Sequence, residues 1–302
     1  MKRRRFLAGM AAALGASALP AESFQQVKSH APATSAGPKL SVMLWTVPKK
    51  LSFEQRLEKV AAAGYHAVEL TDEFISWSDP DFARANAKKR ALGMTFDTIA
   101  GLATGVANPG ARPAFLDDLK HILPTMRKLE CNSLIVLSGD RVPGVRAEAL
   151  HQSCVEALKR AADIAAEAKV TLLLENIDPE ENPNYYLTSS REGFAIIREV
   201  NHPNVKFCYD LYHEQIAEGN LISTLEKNID QVGLIHVADV PGRHAPGTGE
   251  INYVNIFRKL AHLKYQNYIA MEFEPLGDLV KDLRGARELV VNSWHSRRGA
   301  AR

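Results

Sequence analysis

The chain has 302 residues, 46% hydrophobic and 24% charged, which suits a globular protein with a large core. Its formal charge of +2 is set at the N-terminus: Lys2, Arg3, Arg4 and Arg5 lie in a leader, and residues 22–302 carry 33 basic against 35 acidic side chains. This slightly acidic body argues against nucleic acid as a partner, and Cys131, Cys154 and Cys208, without metal-type spacing, do not form a disulfide framework.

After the basic residues comes Phe6-Leu7 and then an uncharged run, Ala8 to Leu19, with small residues around Ala16 to Ala21. The run is short for a bilayer span. The paired arginines, one residue, then Phe-Leu resemble a twin-arginine export signal. Residues 1–21 are therefore predicted to be read by the twin-arginine export machinery, which places the protein in the periplasm or otherwise outside the cytoplasm. Residues 22–38, rich in Ala, Ser, Pro and Gln, read as a flexible linker, and residues 296–302 as a basic tail.

Residues 39–295 alternate between short apolar runs and amphipathic stretches. Lys39–Trp45 reads as the first strand. Ser52 caps a helix that stops at Gly64, and His66–Leu70 is the second strand. A helix from Asp79 to Leu92 leads to a third strand, Met94–Ile99. Ala111–Leu129 is helical, Ser133–Leu137 extended, and Val145–Ala168 a long helix. Val170–Glu175, a helix over Ser189–Val200, and Val205–Asp210 follow. Leu221–Asn228 supplies part of the sixth helix, and the seventh strand runs from Val232 to Val237. Tyr253–Leu263 is helical, Asn267–Glu272 is the eighth strand, and Leu276–Trp294 closes the chain. Eight βα units at this length predict an α/β fold of the (β/α)8 TIM-barrel type, ahead of an open doubly wound sheet. No Gly-x-Gly-x-x-Gly turn follows the first strand, so a dinucleotide site has no support.

Four consecutive strands end in chemistry: Glu175, Asp210, His236 and Glu272. In a barrel the C-terminal strand ends surround one mouth, so these side chains are predicted to meet. Any one acid alone reads better as a helix cap or as the partner of a lysine or arginine; four in register on consecutive strands point instead to a shared site. Carboxylates directly after Leu172-Leu-Leu174 or Ile269-Ala-Met271 need compensation if buried, and one divalent cation provides it. Oxygen ligands with one nitrogen favour Mn²⁺ or Mg²⁺, with Co²⁺ or Zn²⁺ as alternatives. His213 stands just past Asp210, and Arg243 adds a fixed cation with a planar donor fork. Trp45 and Glu69 either line the same pocket or belong to the core and its support; Asp97, Asp178, Glu181, Asp239, His244, Glu250 and Glu274 stay unassigned.

Leu174-Glu-Asn176, Tyr209-Asp-Leu-Tyr-His213, Ile235 to Tyr253 with its Pro-Gly-Arg-His-Ala-Pro-Gly-Thr-Gly-Glu-Ile-Asn-Tyr run, and Met271-Glu-Phe-Glu-Pro275 resemble the xylose-isomerase-like barrel family. Within it they most resemble the hydroxypyruvate isomerases. The resemblance covers about residues 40–280 and implies a divalent metal on Glu175, Asp210, His236 and Glu272, with substrate contacts from His213 and Arg243. Asn176 stands where many relatives have proline, and histidine at 236 is closer to the ketose 3-epimerases than to isomerases with glutamine there.

The expected activity is interconversion of aldehyde and ketone forms of a small hydroxy-carbonyl compound through an enediolate, with Glu175 and Glu272 as ligands and proton carriers. The substrate is expected to be hydroxypyruvate, whose carboxylate Arg243 would clamp, or a sugar. A ketose 3-epimerase uses the same groups. A metal phosphodiesterase would want more histidines and a basic face, and a non-catalytic sugar- or acid-binding barrel would not need both glutamates. Homo-oligomerisation is compatible with the sequence but not specified by it.

Overall fold

A computed structural model describes residues 37–296. The predicted leader, the linker up to residue 36 and the tail beyond Ser296 lie outside the described residues. Eight strands pair in chain order, and the first closes on the last: β1 (Lys39–Met43), β2 (Ala67–Leu70), β3 (Thr95–Ile99), β4 (Ser133–Leu137), β5 (Thr171–Glu175), β6 (Val205–Asp210), β7 (Val232–Val237) and β8 (Tyr268–Met271). Every pairing is parallel, as the βα alternation predicts.

The helices are α1 (Phe53–Ala62), α2 (Asp79–Ala91), α3 (Arg112–Leu129), α4 (Ala147–Glu167), α5 (Ser190–Val200), α6 (Leu211–Ala217), α7 (Leu221–Asn228), α8 (Tyr253–His262) and α9 (Leu279–His295). Local chemistry sets their starts. Ser52 accepts from Gln55 N while the Gln55 side chain accepts from Ser52 N, a reciprocal cap at α1.

Three expectations need correction. The first strand stops at Met43, and Leu44–Thr46 turn as a 3-10 segment, which lifts Trp45 over the mouth. Helix α6 is an element that the sequence pattern does not predict. It is only seven residues long and starts without a break at the end of β6, so no loop signal separates them. The eighth strand ends at Met271, leaving Glu272 one residue beyond it.

Strand alternation divides the apolar residues between two cores. Leu172 and Leu174 face outward into the layer between strands and helices. Met43, Ile135, Leu173, Cys208, Leu234 and Ala270 fill the barrel itself. Side chains two residues apart share a face of a strand. The residues two positions beyond Leu173, Cys208, Leu234 and Ala270 are Glu175, Asp210, His236 and Glu272. The candidate site is thus the top layer of the barrel interior.

Gly193 marks where α5 lies closest to the sheet: a Cβ there would stand 2.2 Å from Phe207 Cε2. Glycine in a helix normally costs stability relative to alanine. Here the sign reverses, because the Phe207 ring is fully buried and packed against Phe194. Gly193→Ala is expected to lower unfolding free energy by about 1–3 kcal/mol, the usual cost of overpacking, measured by chemical denaturation.

Candidate active site at the barrel mouth

The four predicted residues do converge. One ligand atom from each of Glu175, Asp210, His236 and Glu272 lies within 4.8 Å of all the others, and all four side chains are buried. His236 Nδ1 is 2.9 Å from Glu175 Oε1, 2.8 Å from Glu272 Oε2 and 3.8 Å from Asp210 Oδ2. Its Nε2 lies 3.1 Å from Glu69 Oε2, so Glu69 accepts from the far side of the ring. That bond assigns the second nitrogen's proton and turns Nδ1 toward the three carboxylates.

Charge dominates this cluster. Burial would lower the basicity of His236, but Cys208, Glu69, Glu272 and Glu175 together hold its pKa well above the usual value. Burial would raise the Glu272 carboxyl, but Arg243 and then His236 outweigh it and hold it far below the ordinary range. Burial raises Glu69, with His236 opposing. Nδ1 lies within hydrogen-bond distance of Glu175 and does not also satisfy Glu272, whose buried Oε2 has no hydrogen-bond partner. A buried carboxylate oxygen without a donor calls for a cation. Three carboxylates and one imidazole form a donor set that fits a divalent metal.

Asp210 combines two of the alternatives weighed above. Its Oδ1 accepts from Tyr212 N at 2.7 Å and His213 N at 3.1 Å, capping α6, while Oδ2 faces His236. The cap also places His213. Its Nδ1 is 2.6 Å from Asp178 Oδ2, and Asp178 Oδ1 accepts from the backbone of Glu180 and Glu181. Burial would depress His213, but Asp210 and Asp178 raise it to about 9. Its Nε2 stands 3.6 Å from Asp210 Oδ2, beyond hydrogen-bond reach.

Arg243 reaches the cluster from the loop after β7. Its backbone is left-handed, with φ of 57°, which costs a non-glycine residue about 1–2 kcal/mol. The loop sustains that conformation through Glu274 N donating to Arg243 O at 2.7 Å. Its organiser is Asp239, fully buried, whose carboxylate accepts from Val240 N, Gly247 N and Ile251 N at 3.0, 2.8 and 3.0 Å. Gly249 passes so close to Val240 O that a Cβ would stand 2.1 Å away. The Pro-Gly-Arg-His-Ala-Pro-Gly-Thr-Gly-Glu run is thus the frame that aims one guanidinium.

The Arg243 NH2 group lies 2.6 Å from Glu272 Oε1, and NH1 lies 2.8 Å from Glu181 Oε2. Trp45 Nε1 donates to the same Glu272 oxygen at 3.0 Å. Glu69, Trp45, Asp178, Glu181 and Asp239 therefore belong to the site or its support. Glu181 had little sequence signal because it lies in a loop six residues past β5, where a lone acid is ordinarily solvated.

The sequence profile of the xylose isomerase-like TIM barrel family matches residues 57–289. The chain belongs to that family. As a family member it is similar to a putative hydroxypyruvate isomerase from Danio rerio, 30% identical over 274 residues, covering 85% of this chain and 96% of that protein. A 2-oxo-tetronate isomerase from Pectobacterium atrosepticum is 30% identical over 246 residues, covering 79% and 91%. Among solved structures, an AP endonuclease, family 2, from Brucella melitensis superposes with a TM-score of 0.75 at 27% identity, covering 82% and 96%. Relatives of this kind make the chain a small-substrate isomerase.

Asp239→Ala strips three buried N–H groups of their acceptor. It is expected to cost about 3 kcal/mol. Amide exchange should show residues 240–251 losing protection first, and unchanged protection there would remove Asp239 from the role of organiser.

Proposed function

We propose that this protein is a divalent-metal-dependent isomerase of a small hydroxy-carbonyl compound, working through an enediolate. The observation that carries the reading is the approach of two glutamates to one imidazole nitrogen, Glu175 at 2.9 Å and Glu272 at 2.8 Å. Glu175, Asp210, His236 and Glu272 would hold the ion, Mn²⁺ or Mg²⁺ before Co²⁺ or Zn²⁺. Such an ion supplies positive charge that polarises a carbonyl and offsets the negative charge developing on its oxygen.

The protein's own groups move the protons. One glutamate takes the proton from the carbon beside the carbonyl; the C–H electron pair becomes a C=C bond and the carbonyl oxygen takes up negative charge. Return of a proton at the neighbouring carbon exchanges aldehyde and ketone, with a hydroxyl proton passing between the two oxygens. Return at the same carbon from the opposite side inverts it, which is epimerisation. With two glutamates at the site, Glu175 and Glu272, this second outcome would use one as base and the other as acid. His213, steadied by Asp178, would present Nε2–H to a substrate oxygen, and Arg243 would hold Glu272 in place and donate to the substrate. The reading includes export, on the strength of the leader at Lys2 to Leu19.

Glu272→Gln is expected to lower turnover at least about a hundredfold, the scale of a lost acid–base group. Near-normal turnover of any substrate found for the wild type would remove Glu272 from the mechanism. Chelation should abolish solvent-deuterium incorporation into that substrate and Mn²⁺ restore it; full activity in a verified metal-free sample would end the metal reading. Glu69→Gln alters the partner of His236 Nε2 and is expected to weaken Mn²⁺ binding by about 10–100-fold, measured by calorimetry. In a His236→Gln background the same change should have little further effect, since Glu69 acts through that ring.

A further inference from the structure

The loop between β5 and α5, residues 176–189, carries three groups that reach the mouth. Asp178 stands 2.6 Å from His213 Nδ1, Glu181 takes Arg243 at 2.8 Å, and the Tyr185 hydroxyl donates to the Glu175 carbonyl at 3.2 Å. A loop that aims three side chains needs both of its ends fixed. One buried carboxyl outside the mouth meets both.

Glu214 follows His213 on α6, and successive side chains of a helix project about 100° apart. Asp178 meets His213 on the side of the mouth, and Glu214 turns toward the start of α5. Its Oε1 accepts from Ser190 Oγ at 2.6 Å and its Oε2 from Ser190 N at 3.1 Å, at the far end of the loop. The same Oε2 accepts from Asn176 Nδ2 at 3.4 Å, at the near end. Asn176 directly follows Glu175 and points the other way, as neighbours on an extended chain do. Its Oδ1 is buried without a partner, so among the described residues the one polar tie of this side chain is to Glu214. Glu214 and Ser190 are 1% exposed and Asn176 is fully buried, so water does not compete for these bonds.

Little else joins the elements here. A cleft of about 600 Å³, lined by Ser190, Phe194, Glu214, Gly219 and Thr224 among others, lies between α5 and the pair α6 and α7. At its rim Glu218 accepts from Ser189 Oγ at 2.8 Å and pairs with Arg191 at 3.0 Å. Those ties are exposed, and water and salt weaken them.

We infer that Glu214 is a positioning residue for the mouth. It brackets the two ends of the β5–α5 loop, and so holds Asp178 behind His213 and Tyr185 behind Glu175. The effect on turnover rests on the isomerase reading above; the effect on the loop does not.

Amide exchange of the metal-free protein reads the bracket without any substrate. Glu214→Ala should speed exchange across residues 177–189 at least about tenfold and leave α8 and α9 as in wild type. Glu214→Gln keeps an oxygen for Ser190 N and offers an amide to Ser190 Oγ, so it should match wild type. Glu218→Ala, which cuts only the exposed ties, should match it too. Turnover is followed as solvent-deuterium exchange into hydroxypyruvate, dihydroxyacetone and D-erythrulose by the Mn²⁺-loaded protein. With whichever of these wild type exchanges, Glu214→Ala should lower kcat at least about tenfold, on the scale of a displaced reacting group, and Glu214→Gln should stay within about threefold. Where Glu214→Ala does not fold, Ser190→Ala replaces it, with kcat and protection of the segment expected to fall about three- to tenfold. Wild-type protection in the alanine variant, wild-type kcat despite lost protection, or a Glu214→Gln variant as impaired as alanine overturns the inference. Exchange of none of the three compounds by wild type counts against the isomerase reading, and protection of residues 177–189 then decides the bracket alone.

Discussion

Three buried carboxylates close on one imidazole nitrogen at the top of this barrel, and that concentration of negative charge is the constraint the surrounding structure answers. Glu175, Asp210 and Glu272 are each almost fully withdrawn from solvent. Such a group is stable only with positive charge and donors in fixed places. Glu69 orients the imidazole from behind, Arg243 and Trp45 hold one Glu272 oxygen, and the start of α6 satisfies one Asp210 oxygen. What these contacts leave over is a buried Glu272 oxygen without a donor, in a group of side chains that could hold a cation.

The same contacts separate placement from chemistry. The barrel strands deliver four side chains to one point because each continues an inward alternation that begins in the apolar interior. The loop after β7 brings Arg243 from outside that layer, and its precision comes from backbone bonds to Asp239 rather than from side-chain packing. Arg243 then does two things at once: it lowers the basicity of Glu272 and takes a second carboxylate, Glu181, at its other edge. A single guanidinium thereby ties Glu272 at the end of β8 to Glu181 in the loop after β5.

Much of this was legible in the residues. Apolar runs alternating with capped amphipathic helices specify eight βα units, and the strand limits shift by only a residue or two because β-branched and aliphatic clusters define where chain can be buried on both faces. Polar residues at the ends of four consecutive strands identify the mouth, since a parallel barrel has one place where strand C-termini meet. The Pro-Gly-Arg-His-Ala-Pro-Gly-Thr-Gly-Glu run marks a shaped loop, because repeated glycine and proline serve backbone geometry before they serve chemistry.

Tertiary structure alone decided who pairs with whom. Glu69 on β2 meets His236 on β7 across the barrel, 167 residues away, and no local pattern encodes that meeting. Glu181 looks like a solvated loop acid until the backbone returns it to Arg243, 62 residues later. Asp210 caps a short helix and faces the cluster with its two oxygens, a division visible only once both neighbours are in place. Sequence by itself determined which side chains line the barrel, because alternation along a strand is a local property. Which charges cancel depends on distances across the barrel, and those exist only after it closes.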